Sequence, residues 1–233
     1  MRILICPDSY KGFLDAAGAA RVMETAIRQA FPEAQVDCCP MADGGEGTLG
    51  IWAQATKSRV VDIPACDPFG TPAVCQAAIH PETGDVLLEA AQTCGLPPPN
   101  RRVPERMLST GLGMAMQHVL DSFPRARILV ALGGTGTVDG GLGAARTLGL
   151  RLFSGNREIF PEGILDLPED LRVEFSCPFD RPPVFLCDTK APLLGPLGAV
   201  ALFGAQKGVS ASVAPAFEQG LFRLAHACAR AGG

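Results

Sequence analysis

The stretch from Ile128 to Arg146 most constrains what this chain can fold into. An apolar run, Ile128-Leu-Val-Ala-Leu132, empties into glycines at 133, 134, 136, 140, 141 and 143, with Thr135, Thr137 and Asp139 among them, and a helical pattern begins at Leu142. The order reads as strand, loop, helix. Glycine permits positive φ and lets a ligand approach the main chain, while the start of the following helix offers unpaired N–H groups. A phosphate-bearing ligand suits such a loop. Glycine spacing alone equally describes a tight turn in an α/β domain.

The opening of the chain repeats this grammar. Ile3 to Cys6 is a continuous apolar run, the pattern of a strand buried on both faces of a parallel sheet, followed by the loop Pro7-Asp-Ser-Tyr-Lys-Gly12. Asp15 is placed to cap a helix whose apolar positions Val22, Met23, Ala26, Ile27, Ala30 and Phe31 recur at helical spacing, and Pro32 stops it. Val36 to Cys39 reads as a second strand, which empties into Pro40-Met-Ala-Asp-Gly-Gly-Glu-Gly-Thr48 before a helix carrying Leu49, Trp52 and Ala55. Adjacent parallel strands place successive loops side by side, so a paired-loop site is expected.

After Ser58 the texture changes. Short alternating stretches such as Val60 to Ile63 and Val86 to Glu89 are separated by the hairpin-like turns Asp67-Pro-Phe-Gly70 and Pro81-Glu-Thr-Gly84, the entry into a more β-rich part of the chain. Met107 to Leu120 reads as a helix, Val184 to Cys187 as a buried strand ending at Asp188, and Ala214 to Ala231 as a closing helix. Residues 150 to 183, rich in proline and charge, read as a loop-rich excursion. The expected fold class is α/β with two α/β domains. The first, residues 1–57, is the N-terminal part of a doubly wound, Rossmann- or flavodoxin-like parallel sheet, and the second, residues 58–233, is a mixed α/β domain holding the Gly-rich loops.

Charge and cysteine usage narrow the class. A net charge of -4 gives no basic field for nucleic acid or an anionic membrane, so anion binding has to be local. Nine cysteines, an odd count without C-x-x-C spacing, read as free thiols rather than a disulfide framework or zinc site. The short apolar start runs at once into Pro7-Asp8, unlike a signal peptide, and no apolar run approaches a membrane span. A cytoplasmic location is expected.

Four strand ends thus deliver Asp8, Asp43, Asp139 and Asp188, and nearby loops deliver Lys11 and Lys207. Carboxylates hold Mg²⁺ through one or two oxygens, a lysine acts as a point charge on phosphate, and an acid beside a hydroxyl can take its proton. This inventory suits phosphoryl transfer. A single Asp after a strand serves equally as a helix cap or turn former. Glu89, before Ala90-Ala91, could face a ligand or simply end its strand, and His80, His118 and His226 are too scattered to suggest a centre. Lys207 lies between Gln206 and Gly208, so no Walker sequence is present; a G-x-G-x-x-G after a strand and a G-x-S-x-G elbow are also absent.

Four stretches together resemble the type I glycerate kinase family. Pro7-Asp-Ser-Tyr-Lys-Gly-Phe-Leu-Asp-Ala16 is similar to its opening PDS[FY]KGSLSA motif, and Ala42-Asp-Gly-Gly-Glu-Gly-Thr48 matches ADGGEGT without change. Gly133-Gly-Thr-Gly-Thr-Val-Asp-Gly-Gly141 is similar to GGSATNDGG, and Cys187-Asp188 through Phe203-Gly-Ala-Gln-Lys-Gly208 resembles the segment that ends in FGPQKG. The resemblance implies transfer of the ATP γ-phosphoryl group to a hydroxyl of D-glycerate with Mg²⁺, giving 2-phosphoglycerate. Carried over by motif position, it implies catalytic roles for Asp43, Asp139, Asp188 and Lys207, with Asp188 and Asp139 as metal ligands. Substrate or nucleotide contacts are implied for Asp8, Ser9, Lys11, Gly44, Gly45, Glu46, Gly133, Gly134, Thr135 and Thr137.

The chain departs from that pattern at Val138 and Ala191, where the motifs carry Asn, at Leu112 for Thr, and at Ala205 for Pro. Chains of the family also continue beyond the equivalent of Gly233 through a segment that completes the first sheet. The expectation is therefore a kinase completed by another chain or a homodimer partner. The alternative is a shortened, catalytically silent member that binds a nucleotide or small anion, or acts as a subunit.

Overall fold

The computed structural model describes residues 1–10 and 12–232; Lys11 and Gly233 lie outside the described residues. Strand β1 (Arg2–Ile5), helix α1 (Ala16–Ala30) and strand β2 (Gln35–Cys38) form a β-α-β unit in which β1 and β2 pair in parallel, Ile5 opposite Cys38. The Asp15 side chain accepts the Gly18 N–H and so caps α1, as its position predicts. The small residues Ala16, Gly18, Ala19 and Ala20 form its buried face. One expectation fails here. β1 is not buried on both faces: Leu4 is 65% exposed, because α1 covers only one side of this two-stranded sheet.

The chain then enters its principal sheet. Helix α2 (Thr48–Thr56) leads to β3 (Arg59–Cys66), β4 (Pro72–Ile79), β5 (Val86–Glu89), the single turn α3 (Ala91–Cys94), α4 (Thr110–Ser122), β6 (Ile128–Ala131) and α5 (Leu142–Thr147). The stretch read as an excursion holds β7 (Arg151–Ser154), β8 (Arg157–Ile159) and β9 (Leu171–Glu174), after which come β10 (Val184–Leu186), α6 (Ala199–Phe203) and α7 (Ala214–Ala231). Strand order in the principal sheet is β10-β6-β5-β4-β3, with β3, β4 and β5 joined as antiparallel hairpins and β5, β6 and β10 parallel. The architecture is mixed α/β.

Burial explains this layering. Successive residues of a strand point to opposite faces, and every residue of β5 is buried, so the sheet must be covered on both sides. On one face Val86, Leu88 and Val130 meet Met116 and Val119 of α4; on the other Leu87 and Ala78 meet Leu49 and Ala53 of α2. Helix α2 therefore packs on the principal sheet, although the boundary expected at residue 57 groups it with the first unit. α4 comes close to its neighbours at Gly111, where an added Cβ would stand 2.0 Å from the Cys66 carbonyl oxygen. Alanine could not occupy that position without moving the helix.

Residues 150 to 183 are not simply a loop. β8, β7 and β9 form an antiparallel sheet in that order, and Leu152, Leu171 and Val173 pack against Phe217, Leu221 and Leu224 of α7. Val138 and Leu142 join the same cluster, so this core seats the Gly-rich loop from behind. Among the described residues no helix is long and apolar enough to cross a membrane.

Candidate functional site

The two Gly-rich loops meet at the end of β6. Past that strand, Leu132 donates its N–H to the Leu186 carbonyl of β10 (3.0 Å), and Gly133 donates to the Gly44 carbonyl (2.9 Å). The contact depends on missing side chains. A Cβ on Gly133 would stand 2.5 Å from the Gly45 Cα, closer than any carbon contact allows. Gly134 then turns with φ +76°, and Gly136 donates to the Cys94 carbonyl (2.7 Å), anchoring the loop on α3. Asp43 stiffens the opposing loop by accepting the Gly45 N–H at 2.8 Å.

Lys207 crosses onto this loop from far along the chain. It closes the 3₁₀ turn Ala205–Lys207 after α6, and its Nζ donates to the Thr137 carbonyl (3.0 Å) and the Thr135 Oγ1 (3.3 Å). Burial lowers its pKa, opposed by the negative charge of Asp139. A cation is thus held at the rim of a glycine loop, a pairing suited to phosphate oxygens.

Asp139, expected as metal ligand and catalyst, lies behind the glycine loop. It is buried, and its Oδ2 accepts three hydrogen bonds, from the Ser109 N–H (2.8 Å), the Ser109 hydroxyl (2.7 Å) and the Gly143 N–H (3.0 Å). Its Oδ1 accepts the Gly141 N–H at 3.2 Å. Three of these four donors are backbone N–H groups, two of them at the start of α5. The carboxylate thus holds the loop against α4 and α5 through Oδ2, while Oδ1 accepts a single N–H.

The first two loops enclose a separate cavity of about 540 Å³, lined by Asp8, Ser9, Tyr10, Asp43, Glu46 and Gln54 among others. Asp8 turns back to accept the Ser9 N–H (2.6 Å), and Asp8, Asp43 and Glu46 are exposed. Lys11, expected here, lies outside the described residues. Asp188 is exposed two residues beyond Leu186, whose carbonyl oxygen lies 3.4 Å from where a Gly44 Cβ would stand. The geometry thus gathers Asp8, Ser9, Asp43 and Glu46 around the cavity and Gly133, Gly134, Thr135, Thr137 and Lys207 around the glycine loop. Gly44 and Gly45 join the two groups. Asp139 stands behind them and Asp188 at the open edge.

Glu89 proves structural in a way its neighbours in sequence could not reveal. Gly47, with φ +93°, begins α2 without any side chain to cap it, and the Glu89 carboxylate does so from β5, accepting the Gly47 N–H (2.6 Å) and the Leu49 N–H (3.3 Å). Burial raises its pKa against the pull of those two N–H groups. Ser109, which positions Asp139, was likewise not legible as a site residue. The histidines stand apart from the site: His80, for example, caps its own turn through Nδ1 and packs on Trp52.

No group of three or more His, Cys, Asp or Glu side chains able to hold a metal ion occurs among the described residues. The available donors are carboxylate oxygens, the type that suits Mg²⁺ shared with phosphate rather than a closed protein cage.

Comparison with known proteins points one way. Residues 3–233 match the profile of the glycerate kinase family. The chain is 32% identical over 231 residues to a glycerate kinase of Bacillus subtilis (strain 168), covering 97% of this chain and 60% of that protein. It is 32% identical over 237 residues to a glycerate 2-kinase of Escherichia coli (strain K12), covering 99% and 62% respectively. A crystal structure described as that of a glycerate kinase 2 from Salmonella typhimurium LT2 superposes with a TM-score of 0.81 at 33% identity, covering 99% of this chain and 63% of the other. The chain thus spans about three-fifths of the length of the relatives it matches.

Proposed function

Because the chain belongs to the glycerate kinase family, we propose that it phosphorylates glycerate, as the names of its relatives suggest, and that it moves the γ-phosphoryl group of ATP to a hydroxyl of D-glycerate. The observation that carries this reading is the junction of the two glycine loops, Gly133 bonded to Gly44, with Lys207 fixed on Thr135 and Thr137 beside it. Backbone N–H groups and one held cation are the equipment for binding a transferring phosphate, and the acid-lined cavity next to it offers acceptors to the hydroxyls of a hydroxy acid.

In this reading the Gly133–Thr137 loop and Lys207 bind phosphate oxygens and neutralise charge as it develops on them. Asp8, Ser9 and Glu46 surround the organic acid, and Lys11 is assigned to it by motif position alone. Asp43 has one oxygen fixed by the Gly45 N–H, so its carboxylate is oriented at the edge of the cavity, where it accepts the proton of the attacking hydroxyl. Asp188, exposed at the end of β10, would hold Mg²⁺, which when bound screens the charge between the phosphates and the acceptor. Asp139 and Ser109 keep the phosphate loop in place from behind.

The name of the Escherichia coli relative supports phosphorylation at the 2-hydroxyl, giving 2-phosphoglycerate. Phosphorus NMR of the product distinguishes the isomers: the 2-phosphate supports this reading and the 3-phosphate overturns it. ATP as donor and a full set of free thiols suit a cytoplasmic setting. The part of the relatives' length that this chain does not span would come from a continuation, a separate completing chain or a homodimer partner.

A second reading has its own support. Val138, where the family motif carries Asn, is 8% exposed and packs with Leu142 and Leu221, so that position offers hydrophobic packing rather than an amide to a ligand. A binding-only member would retain ATP affinity without turnover. Isothermal titration with ATP–Mg²⁺ alongside an ADP-release assay separates the two.

A further inference from the structure

Two cysteines stand at the roots of the cavity loops. β1 and β2 pair in parallel with Ile5 opposite Cys38, and the Cys39 N–H donates to the Ile5 carbonyl at 2.8 Å, so Cys6 and Cys39 occupy the next position of the register. Because side chains alternate along a strand, these two share the face opposite to Ile5 and Cys38. Cys38 is turned to the helix side, its Sγ 3.9 Å from the Ala20 carbonyl and 3.6 Å from Glu24 of α1. Cys6 and Cys39 therefore lie on the face α1 leaves bare. Both are exposed free thiols, and desolvation together with the neighbouring Cys39 raises the Cys6 pKa, which places the two thiols side by side and calls for mildly alkaline pH to form the thiolate. Neighbouring positions on paired strands fall within the Cα separation a disulfide requires.

The chain context makes the pair consequential. Cys6 is followed by Pro7 and the Asp8-Ser9-Tyr10 wall of the cavity, and Cys39 by Pro40 and the Met41-Ala42-Asp43 wall. The two loops are thereby rooted on adjacent thiols. We propose that Cys6 and Cys39 form a reversible dithiol–disulfide pair, oxidised by exchange with a small-molecule disulfide, which ties together the roots of the two loops that line the cavity. One thiolate attacks a sulfur of the small disulfide, forming a mixed disulfide and releasing one thiol. The second thiolate attacks the protein sulfur of that mixed disulfide and releases the other. Two electrons pass to the small disulfide, and the two cysteine protons end on the thiols released. The pair is independent of the catalytic assignment, since it rests on strand register alone.

The test uses the reduced wild-type chain with excess oxidised glutathione at mildly alkaline pH, quenched by alkylation and digested without reductant. The expected product has lost about 2 Da, the mass of two hydrogens, carries a Cys6–Cys39 cross-linked peptide, and reverts with dithiothreitol. Stable glutathione adducts on both cysteines, or a link from Cys39 to any other cysteine, overturn the proposal. Cys6→Ser should hold one glutathione stably on Cys39, for lack of a resolving thiol. Hydrogen exchange reads the tethering: residues 40–47 should exchange more slowly in the oxidised chain, and an unchanged rate there contradicts the tie between loops.

Discussion

Gly133 and Gly44, 89 positions apart in the chain, are joined by a 2.9 Å backbone hydrogen bond with no side chain on either residue. That bond puts the phosphate-type loop of the principal sheet against the acid-bearing loop that follows β2. The proposed phosphoryl transfer depends on their contact.

Gly133→Ala tests the contact. The new methyl group would meet the Gly45 Cα at 2.5 Å, with backbone rather than a flexible side-chain end in its way. We expect a loss of about 1–3 kcal/mol in stability, the usual range for overpacking, together with loss of ATP binding. Denaturant unfolding and isothermal titration measure the two effects.

Lys207→Met separates binding from folding. The ammonium group loses solvation by burial, which lowers its pKa, so the charge is a burden on the fold. A depressed pKa means the fold loses stability as pH falls from the ordinary lysine range through the folded value, and that cost is present at neutral pH. Removing the charge removes the cost but also two hydrogen bonds, each worth about 1 kcal/mol. Stability at neutral pH should change by less than about 1 kcal/mol, while ATP affinity measured by titration falls by at least about tenfold, or 1.4 kcal/mol.

Ser109→Ala and Asp188→Asn should behave oppositely. Ser109 gives the buried Asp139 a hydroxyl hydrogen bond and accepts the Ala144 N–H, so its loss strands both and should cost about 1–3 kcal/mol in chemical denaturation. Asp188 is exposed, and its amide variant should stay within about 0.5 kcal/mol of wild type in the same experiment while losing turnover.

Glu89 predicts a pH dependence. Burial raises its pKa, so its contribution to stability is fully present below the ordinary glutamate value and is lost as pH rises through the higher folded value. Glu89→Gln does not titrate. The stability of wild type relative to this variant should therefore fall as pH rises from about 4 through the mildly acidic range. A difference that is flat or rising with pH across that window would contradict the assignment.

Much of this was legible in the sequence where local rules govern. The Asp67–Gly70 turn announced a hairpin and Asp15 a helix cap, because each depends on neighbours in sequence. The β7–β8–β9 sheet was not, since strands of three or four residues such as Arg151–Ser154 show too little alternation against nearby charge and proline. The roles of Asp139 and Glu89 were hidden for another reason. An acid that caps a remote helix and an acid that binds a ligand look alike until the partner is known, and those partners lie 30 and 42 residues away. The one-sided covering of β1 and β2 was also illegible, because an apolar run does not report what packs on it.

The most direct measurement is ADP release by the purified chain supplied with ATP, Mg²⁺ and D-glycerate, against controls without glycerate and with the Asp43→Asn variant. The account predicts release that depends on glycerate and is lost in the variant, with both proteins folded. A folded chain that binds ATP but releases no ADP in the presence of glycerate would contradict it.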